Sequence, residues 1–169
     1  MIGNDIVDLA LSRIESNWKR DRWIEKIFTS KEQRAIFSAK NPEVMVWCLW
    51  SGKEAAYKIY HRKTKKRVFM PKDFECTFGK QQHGLIFGKV KVDQFIYLTR
   101  TIVTNELIYT EAVTERGSFQ KIENIDSINT FKDQFGIPHA KLSKNPVSKT
   151  HHGAFERCVQ LDIYTQSRF

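Results

Sequence analysis

The first thirty residues place short apolar clusters between polar residues that can begin a helix. Met1–Val7 carries the β-branched residues typical of a strand start. Asp8 or Ser12 is expected to cap a helix that continues to about Arg20, because both side chains can accept hydrogen bonds from a first helical turn. A second helical piece is predicted near Asp21–Phe28. The chain therefore begins with one strand and continues with helices.

Two stronger helix-start signals follow. Ser30–Gln33 has the S-x-x-Q pattern of a capping box and predicts a helix through about Ala39. Asn41–Glu43 combines an N-cap asparagine, a proline at the first helical position and an acid in the first turn. The long helix that begins there is predicted to run to about His61.

The pattern changes to strands after Pro71. β-branched and aromatic residues dominate four stretches, which are predicted as strands at Phe74–Phe78, Gly84–Val92, Phe95–Val103 and Leu107–Thr114. Turns are expected at Gly79, Gly84 and Asn105. Short turns between consecutive strands predict an antiparallel meander.

The last fifty residues are less regular. Asp126–Phe135 is predicted as an amphipathic helix inside a polar stretch. Val147–Thr150 and Phe155–Tyr164 are predicted as two closing strands across residues 151–153. Helices first and strands later predict an α+β fold, with helices packed on a mainly antiparallel sheet. At 169 residues, the simplest organisation is a single domain spanning residues 1–169.

Composition favours an anionic partner in a reducing compartment. The chain has 28 Lys and Arg against 19 Asp and Glu, a net charge of +9. The densest basic run, His61–Arg67, lies at the end of the long helix. It either binds an anion or is a solvated helix end.

Three cysteines without close spacing argue against a disulfide scaffold. The longest apolar stretch, Val44–Trp50, is too short to span a bilayer and no signal peptide is indicated, so a cytoplasmic location without membrane contact is expected.

Candidate chemistry is concentrated in the long helix. Glu54 and Lys58 are four residues apart and should share one helix face. A carboxylate is a hard oxygen ligand for Mg²⁺, and a lysine ammonium is a compact partner for phosphate. An ordinary surface ion pair is the alternative for these two residues alone. The segments Gly3–Asp8 and Val147–His152 favour the metal and phosphate site over the ordinary ion pair.

These three segments together resemble the 4′-phosphopantetheinyl transferase superfamily. The family patterns are G-x-D, (F/W)-(S/C/T)-x-K-E-(A/S)-x-x-K and a strand end S-x-(S/T)-H. They match Gly3-x-Asp5, Trp50–Lys58 and Ser148-x-Thr150-His151. The histidine segment lies at the carboxyl end, as in the short holo-acyl-carrier-protein synthase branch. The resemblance implies a phosphopantetheinyl transferase-like fold and transfer of 4′-phosphopantetheine from coenzyme A to a carrier-protein serine, with release of 3′,5′-ADP.

The resemblance implies a metal site as well. Asp5 and Glu54 would be the Mg²⁺ ligands, with Mn²⁺ as an alternative ion. Some family members carry a second acid two residues after the G-x-D aspartate, but here that position is Val7. Asp8 is the nearest acid that could join the metal site, through a bridging water molecule.

The resemblance also implies roles for basic residues. Lys58 would contact the phosphates and orient the incoming hydroxyl, and Lys53 would reach a nucleotide phosphate or solvent. His151 would contact the pyrophosphate. His152 is its neighbour, and a one-residue shift of the alignment would exchange the two histidines. Glu54, Lys58 and His151 are therefore the expected catalytic residues.

The expected partners are coenzyme A and a small acidic acyl or peptidyl carrier protein. A docking face is expected at basic residues that follow the G-x-D segment, namely Arg13, Lys19, Arg20 and Arg22. The short branch predicts a homotrimer with a site shared between subunits, or alternatively a site completed within one chain. A catalytically weak relative that only binds coenzyme A or a carrier is a second hypothesis. A nucleic-acid-binding domain is a third and disfavoured hypothesis. It requires aromatic and basic residues on one sheet face, and the candidates for that face are Phe95, Tyr97, Lys89 and Lys91.

Overall fold

The computed structural model describes residues 1–82 and 84–164. Within these ranges there are four α-helices: α1 Leu9–Glu15, α2 Trp23–Ile27, α3 Ser30–Ser38 and α4 Pro42–Thr64. The strands that make up the main sheet are β1 Ile2–Asp8, β2 Glu75–Gln82, β3 Leu85–Val92, β4 Phe95–Val103 and β5 Leu107–Val113. The later strands are β6 Ile122–Asn124, β7 Thr130–Lys132, β8 Pro138–Ala140, β9 Val147–His152 and β10 Phe155–Leu161.

The main sheet is antiparallel and has the order β1-β5-β4-β3-β2. Helix α4 packs across it, chiefly on β1 and β5. The buried face of α4 supplies much of the core, including Trp47, Leu49, Ala56 and Ile59. The α+β class with a mainly antiparallel sheet is confirmed.

A glycine permits the contact between β1 and α4. Gly3 lies against the carbonyl oxygen of Ala55, and a β carbon on residue 3 would overlap that oxygen. The two backbones can therefore touch only at a residue without a side chain. This contact brings the strand that carries Asp5 against the helix that carries Glu54 and Lys58.

Helix starts follow local capping chemistry. Asp8 caps α1 by accepting hydrogen bonds from the Ala10 and Leu11 amides, both at 3.0 Å. Asn41 caps α4 as predicted. The capping box of α3 is real but lies one residue earlier than predicted, because Thr29 and Glu32, rather than Ser30 and Gln33, exchange the two bonds.

A second, three-stranded sheet has the order β6-β10-β9. Its strand β9 lies beside the free edge of β1, and side chains make the connection. The backbone amides of Asn4, Ile6 and Asp8 donate to Ser148 Oγ at 2.9 Å, Thr150 Oγ1 at 3.3 Å and His152 Nδ1 at 2.8 Å. Every second residue of β9 thus faces β1.

The predicted helix at Asp126–Phe135 is wrong. This segment forms a short 3₁₀ turn and the first strand of the β7–β8 hairpin. Asp133 holds the hairpin turn by accepting hydrogen bonds from the Phe135 and Ile137 amides. Arg62 of α4 donates to the carbonyls of Pro138 and Val147, which ties the hairpin to the helix end.

The other predicted boundaries agree within three residues, except that α1 is shorter than predicted and β2 continues to Gln82 rather than ending at Phe78. Helix α1 ends at Glu15 rather than near Arg20, and α4 continues three residues beyond His61. Gly79 does not form a turn, since it lies within β2 at an irregularity in the pairing with β3. Among the described residues, no helix is both long and apolar enough to cross a membrane.

Candidate active site

Asp5 lies at the junction of β1, α4 and β9. Its carboxylate accepts a hydrogen bond from Thr150 Oγ1 at 3.3 Å, and Lys58 Nζ is 3.8 Å from Asp5 Oδ1. Burial raises the pKa of this carboxyl above its ordinary value, although Lys58 and the hydrogen bonds oppose the rise. Asp5 is therefore a buried carboxylate in need of positive charge.

Lys58 extends from α4 toward the edge of β1. Its Nζ donates to the Asn4 carbonyl at 2.5 Å and to the Lys149 carbonyl at 3.2 Å. Burial lowers the pKa of Lys58, and nearby Lys132 adds to that effect, whereas Asp5 and Glu54 oppose it. The ammonium is thus held by main-chain oxygens from both sheets, with its charge next to Asp5.

Glu54 lies one helical turn before Lys58. Burial first, and then the charge of Asp5, raise the pKa of Glu54 to about 7. Two neighbouring carboxylates with raised pKa values form a site that a cation would stabilise. The expected grouping of Asp5, Glu54 and Lys58 is what the fold brings together.

The two neighbouring histidines have different positions. His151 is exposed and lines the same cavity wall as Asp5. His152 accepts the hydrogen bond from the Asp8 amide through Nδ1, and its Nε2 lies 3.6 Å from Glu15. Of the two histidines, only His152 has a ring nitrogen in a hydrogen bond within the described part of the chain, whereas His151 lines both cavities that contain Asp5.

Lys53 does not lie at the site, which corrects its expected role in cofactor binding. It is fully buried on the opposite side of α4, where Nζ donates to Glu32 Oε2 at 2.8 Å and to the carbonyls of Pro71 and Phe74. These three bonds use all three donors of the ammonium. Glu32 also accepts from the Cys76 amide, so the pair joins α3, α4 and β2.

Asp8 is not positioned as a metal ligand. One carboxylate oxygen caps α1, and the other accepts a hydrogen bond from the Ala154 amide at 3.1 Å. Gly153, at φ +56°, has no room for a β carbon beside this carboxylate. Asp8 therefore ties the β9–β10 turn to the start of α1.

A basic cavity of 570 Å³ opens on one side of Asp5 and His151; we call it the basic chamber. Its charged lining includes Lys58, Arg62, Lys132, Lys149 and Glu156, and the last two form an ion pair at 3.1 Å. The lining also includes residues of the β7–β8 hairpin, namely Gly136, Ile137 and Pro138. The excess of cations suits an anionic ligand.

A smaller cavity of 340 Å³ shares Asp5 and His151 with the basic chamber; we call it the tryptophan chamber. Its walls include Trp23, Trp47 and Trp50, and Glu54 and His152 also lie on its lining. The ring of Trp23 packs edge-on against Trp47 at 6.0 Å and tilted against Trp50 at 6.5 Å. Asp5 and His151 therefore line both cavities.

The carboxylate pair fits a magnesium ion. Mg²⁺ takes one or two carboxylates and completes its shell with waters and phosphate oxygens. Asp5 and Glu54 meet that requirement, since burial raises the pKa of both carboxyls and the charge of Asp5 raises that of Glu54 further, so a cation would stabilise their charged forms. Among residues 1–82 and 84–164, no group of three or more His, Cys, Asp or Glu side chains is arranged as an all-protein metal cage.

Sequence reasoning missed several residues of the site. Thr150 had been matched only as a motif position, yet its hydroxyl joins Asp5 to the Ile6 amide. Lys132, Lys149 and Arg62 reach the basic chamber from three separate elements. Only the fold brings these three basic residues together. By contrast, the period-two spacing of Ser148, Thr150 and His152 could have indicated from the sequence that these side chains share one face of a strand.

An α+β fold that places paired carboxylates and a lysine beside a basic cavity suits a protein that handles phosphate groups. The family model described as the 4′-phosphopantetheinyl transferase superfamily matches residues 1–104, which include Asp5, Glu54 and Lys58. The chain belongs to this superfamily and is a transferase of the phosphopantetheinyl type. Proteins of the family act on coenzyme A and carrier proteins. Among curated proteins, none matches the chain.

Proposed function

We propose that this chain transfers 4′-phosphopantetheine from coenzyme A to a serine of an acyl or peptidyl carrier protein, as a Mg²⁺-dependent holo-acyl-carrier-protein synthase. The observation that carries the proposal is the meeting of Asp5, Glu54, Lys58 and His151 at one junction between two cavities. The family match supports phosphopantetheine transfer in general.

The reaction needs charge neutralisation more than a protein nucleophile. The serine oxygen of the carrier forms a bond to the β-phosphorus of coenzyme A, and the bond from that phosphorus to the bridging oxygen of 3′,5′-ADP breaks. Both the electrophile and the leaving group are anionic, so fixed cations lower the barrier. Lys58, held beside Asp5 by two main-chain carbonyls, is oriented to contact a phosphate oxygen.

The proton of the carrier serine is proposed to leave through a water molecule at the site, because Glu54 is proposed as a metal ligand and its raised pKa of about 7 applies to the metal-free protein. His151, with its ring free in the cavity, is proposed to donate a hydrogen bond to the pyrophosphate. Asp5 and Glu54 would hold the Mg²⁺ ion, or Mn²⁺ in its place, and the bound ion would supply neutralisation of the pyrophosphate charge.

The basic chamber is proposed to hold the nucleotide end of coenzyme A, which carries three phosphate groups. Buried donors in its wall support an anionic occupant. Within the described ranges, His61 Nε2 and Arg62 Nε are buried without a hydrogen-bond partner. A ligand oxygen would provide the acceptor that these atoms lack.

The carrier is proposed to be acidic and to dock near α1. Of the four basic residues expected at that face, Arg13 makes a bidentate pair with Glu43, with Nε and Nη2 at 3.1–3.2 Å from the carboxylate. Its charge is therefore partly neutralised. The stronger candidates are the exposed residues Lys19, Arg20 and Arg22. The Lys19 ammonium lies 5.2 Å from the centre of the Trp18 ring.

One chain is proposed to hold a complete site. His151 of the same chain reaches the Asp5 cavity, so the geometry supports the alternative in which no second subunit supplies it. The homotrimer remains a prediction from motif order, and light scattering of the purified protein would determine the oligomeric state. A reducing, cytoplasmic setting is proposed because Cys48, Cys76 and Cys158 are free and buried.

Intact-protein mass spectrometry tests the function. A panel of apo carrier proteins is incubated with this protein, coenzyme A and Mg²⁺, beside a Glu54→Gln variant. A gain of one phosphopantetheine mass that is lost in the variant and with chelator is the expected result. No gain on any carrier, with coenzyme A still bound, would instead indicate a relative that binds without transfer.

A further inference from the structure

Strand β9 presents two hydroxyl side chains to β1, and each of them has a different second partner. Ser148 Oγ and Thr150 Oγ1 both accept a hydrogen bond from a β1 amide, from Asn4 at 2.9 Å and from Ile6 at 3.3 Å. A hydroxyl that accepts in this way still has its own proton to donate. Ser148 donates to the side-chain oxygen of Asn4 at 2.7 Å, whereas Thr150 donates to Asp5 Oδ1 at 3.3 Å.

We propose that Thr150 is a positioning residue, which fixes the Asp5 carboxylate in the orientation that binds a divalent cation. The inference rests on the proposed function, because that function requires Asp5 and Glu54 to hold Mg²⁺. Thr150 acts through Asp5 and is not itself a ligand. Hydrogen bonds of this kind to ligating carboxylates commonly determine how tightly a site holds its metal.

The Asp5 carboxylate needs such a restraint. Its terminal torsion has a broad energy minimum, so the position of the backbone alone does not determine where the two oxygens point. Lys58 Nζ lies 3.8 Å from Oδ1 and is held closer to the carbonyls of Asn4 and Lys149, at 2.5 and 3.2 Å. Thr150 Oγ1 lies nearer to Oδ1 than Lys58 does, and Mg²⁺ tolerates little departure from octahedral geometry.

Thr150 is itself held firmly in place. Its side chain is β-branched and the residue is only 6% exposed, so its hydroxyl has few alternative positions. Its backbone pairs with Arg157 of β10, which fixes this part of β9 within the small sheet. The amide that it accepts belongs to Ile6, the residue next to Asp5. One hydroxyl thus fixes both the strand and the carboxylate at the same place.

Substitution of Thr150 by valine tests the hydroxyl with little change of shape. Mg²⁺ is titrated calorimetrically, with coenzyme A present, into the native protein, Thr150→Val and Thr150→Ser, which keeps the hydroxyl. Ser148→Ala is the matched control. It also removes the acceptor of one β1 amide, but it leaves the hydrogen bond to Asp5 intact.

Thr150→Val is expected to raise the Kd for Mg²⁺ by about tenfold or more, whereas Thr150→Ser and Ser148→Ala should change it by less than about threefold. The Mg²⁺ concentration that gives half-maximal transfer should rise in Thr150→Val by a similar factor, and excess Mg²⁺ should restore much of the rate. Circular dichroism and the Tm in EDTA establish that each variant is folded. If Thr150→Val does not fold, Thr150→Ala replaces it, because alanine places no added methyl group beside the carboxylate.

Each of the contrary results has its own meaning. Unchanged Mg²⁺ affinity in the folded valine or alanine variant would remove Thr150 from the metal site. Equal weakening in Thr150→Val and Ser148→Ala would assign the effect to the attachment of β9 to β1, and equal weakening in Thr150→Ser would assign it to the methyl group. These results overturn the inference while the native protein still transfers phosphopantetheine. Native protein that neither binds Mg²⁺ nor transfers would contradict the proposed function, and the inference with it.

Discussion

Gly3 of β1 and Ala55 of α4 touch through their backbones, at a point two residues before Asp5 and one residue after Glu54. The glycine of the G-x-D motif therefore acts through geometry. It lets the strand approach the helix closely enough for two carboxylates from different elements to share one cavity.

We predict that Gly3→Ala destabilises the fold severely. The new methyl group would overlap the Ala55 carbonyl, and the strand or the helix must move, at a cost of about 3 kcal/mol or more. Urea unfolding measures the loss. Gly117→Ala is the control, because a β carbon there meets no atom within 4 Å, and equal stability of the two variants would contradict the close contact.

The two lysines of the helix motif are predicted to fail in different ways. Lys53→Met should cost about 3–5 kcal/mol of unfolding free energy, because it leaves the Glu32 carboxylate buried without its partner. Lys58→Met should cost only about 1 kcal/mol, since Lys58 is less buried, and yet reduce transfer by about a hundredfold or more. Urea unfolding and the transfer rate together distinguish the two roles. A Lys53 variant that is stable but inactive would contradict the structural role and indicate that Lys53 acts at the active site.

Substitutions of the two neighbouring histidines should likewise have different effects, one on activity and the other on stability. His151→Ala is expected to lower the transfer rate with little change in stability, because its ring is exposed in the cavity. His152→Ala should cost about 1–3 kcal/mol, because the Asp8 amide loses its acceptor. Thermal unfolding and the transfer rate are measured for both variants. The reverse assignment would show that the motif is shifted by one residue.

The raised pKa of Glu54 predicts a pH dependence of stability in the metal-free protein. Its folded value of about 7 lies above the ordinary value of 4.5, so the folded state binds more protons than the unfolded state between these two pH values. This contribution is fully present below about pH 4.5 and is lost as the pH rises through about 7. The Tm in EDTA should therefore fall over that range.

Glu54→Gln should reduce that slope and raise the Tm at pH 8 by roughly 5 °C, because an uncharged amide replaces a carboxylate next to Asp5. Thermal unfolding at pH 5 and pH 8 gives the slope, and the exposed Glu106→Gln is the control. Mg²⁺ should raise the native Tm more at pH 8 than at pH 5. An identical slope in native protein and Glu54→Gln would contradict the assignment.

Sequence predicted those parts of the fold that local chemistry determines. Asn41 and Pro42 specify the start of α4 through their own hydrogen bonds and ring geometry, so the start was found correctly. The helix prediction for residues 126–135 is wrong because the polar pattern there also suits a hairpin. The hydrogen bonds of Asp133 in the turn and of Arg62 to Pro138 favour the hairpin over the helix. Lys53 was assigned to phosphate from its place next to Glu54. A helix turns 100° per residue, so the Lys53 side chain points away from that of Glu54, and in this fold it enters the core.

The side-chain connection between β1 and β9 has a consequence for how the molecule opens. Side chains hold the small sheet to the rest of the fold. Ser148, Thr150 and His152 accept hydrogen bonds from β1 amides, and Lys58 and Arg62 of α4 donate to β9 carbonyls, whereas strands within each sheet are joined along their whole backbones. The small sheet is therefore expected to behave as a separate cooperative unit, whose release requires less free energy than global unfolding. Native-state hydrogen exchange should find the Asn4, Ile6 and Asp8 amides exchanging earlier than those of β5. Since His151 and Thr150 leave Asp5 when that unit opens, catalytic competence would depend on a subglobal equilibrium rather than on the stability of the whole fold.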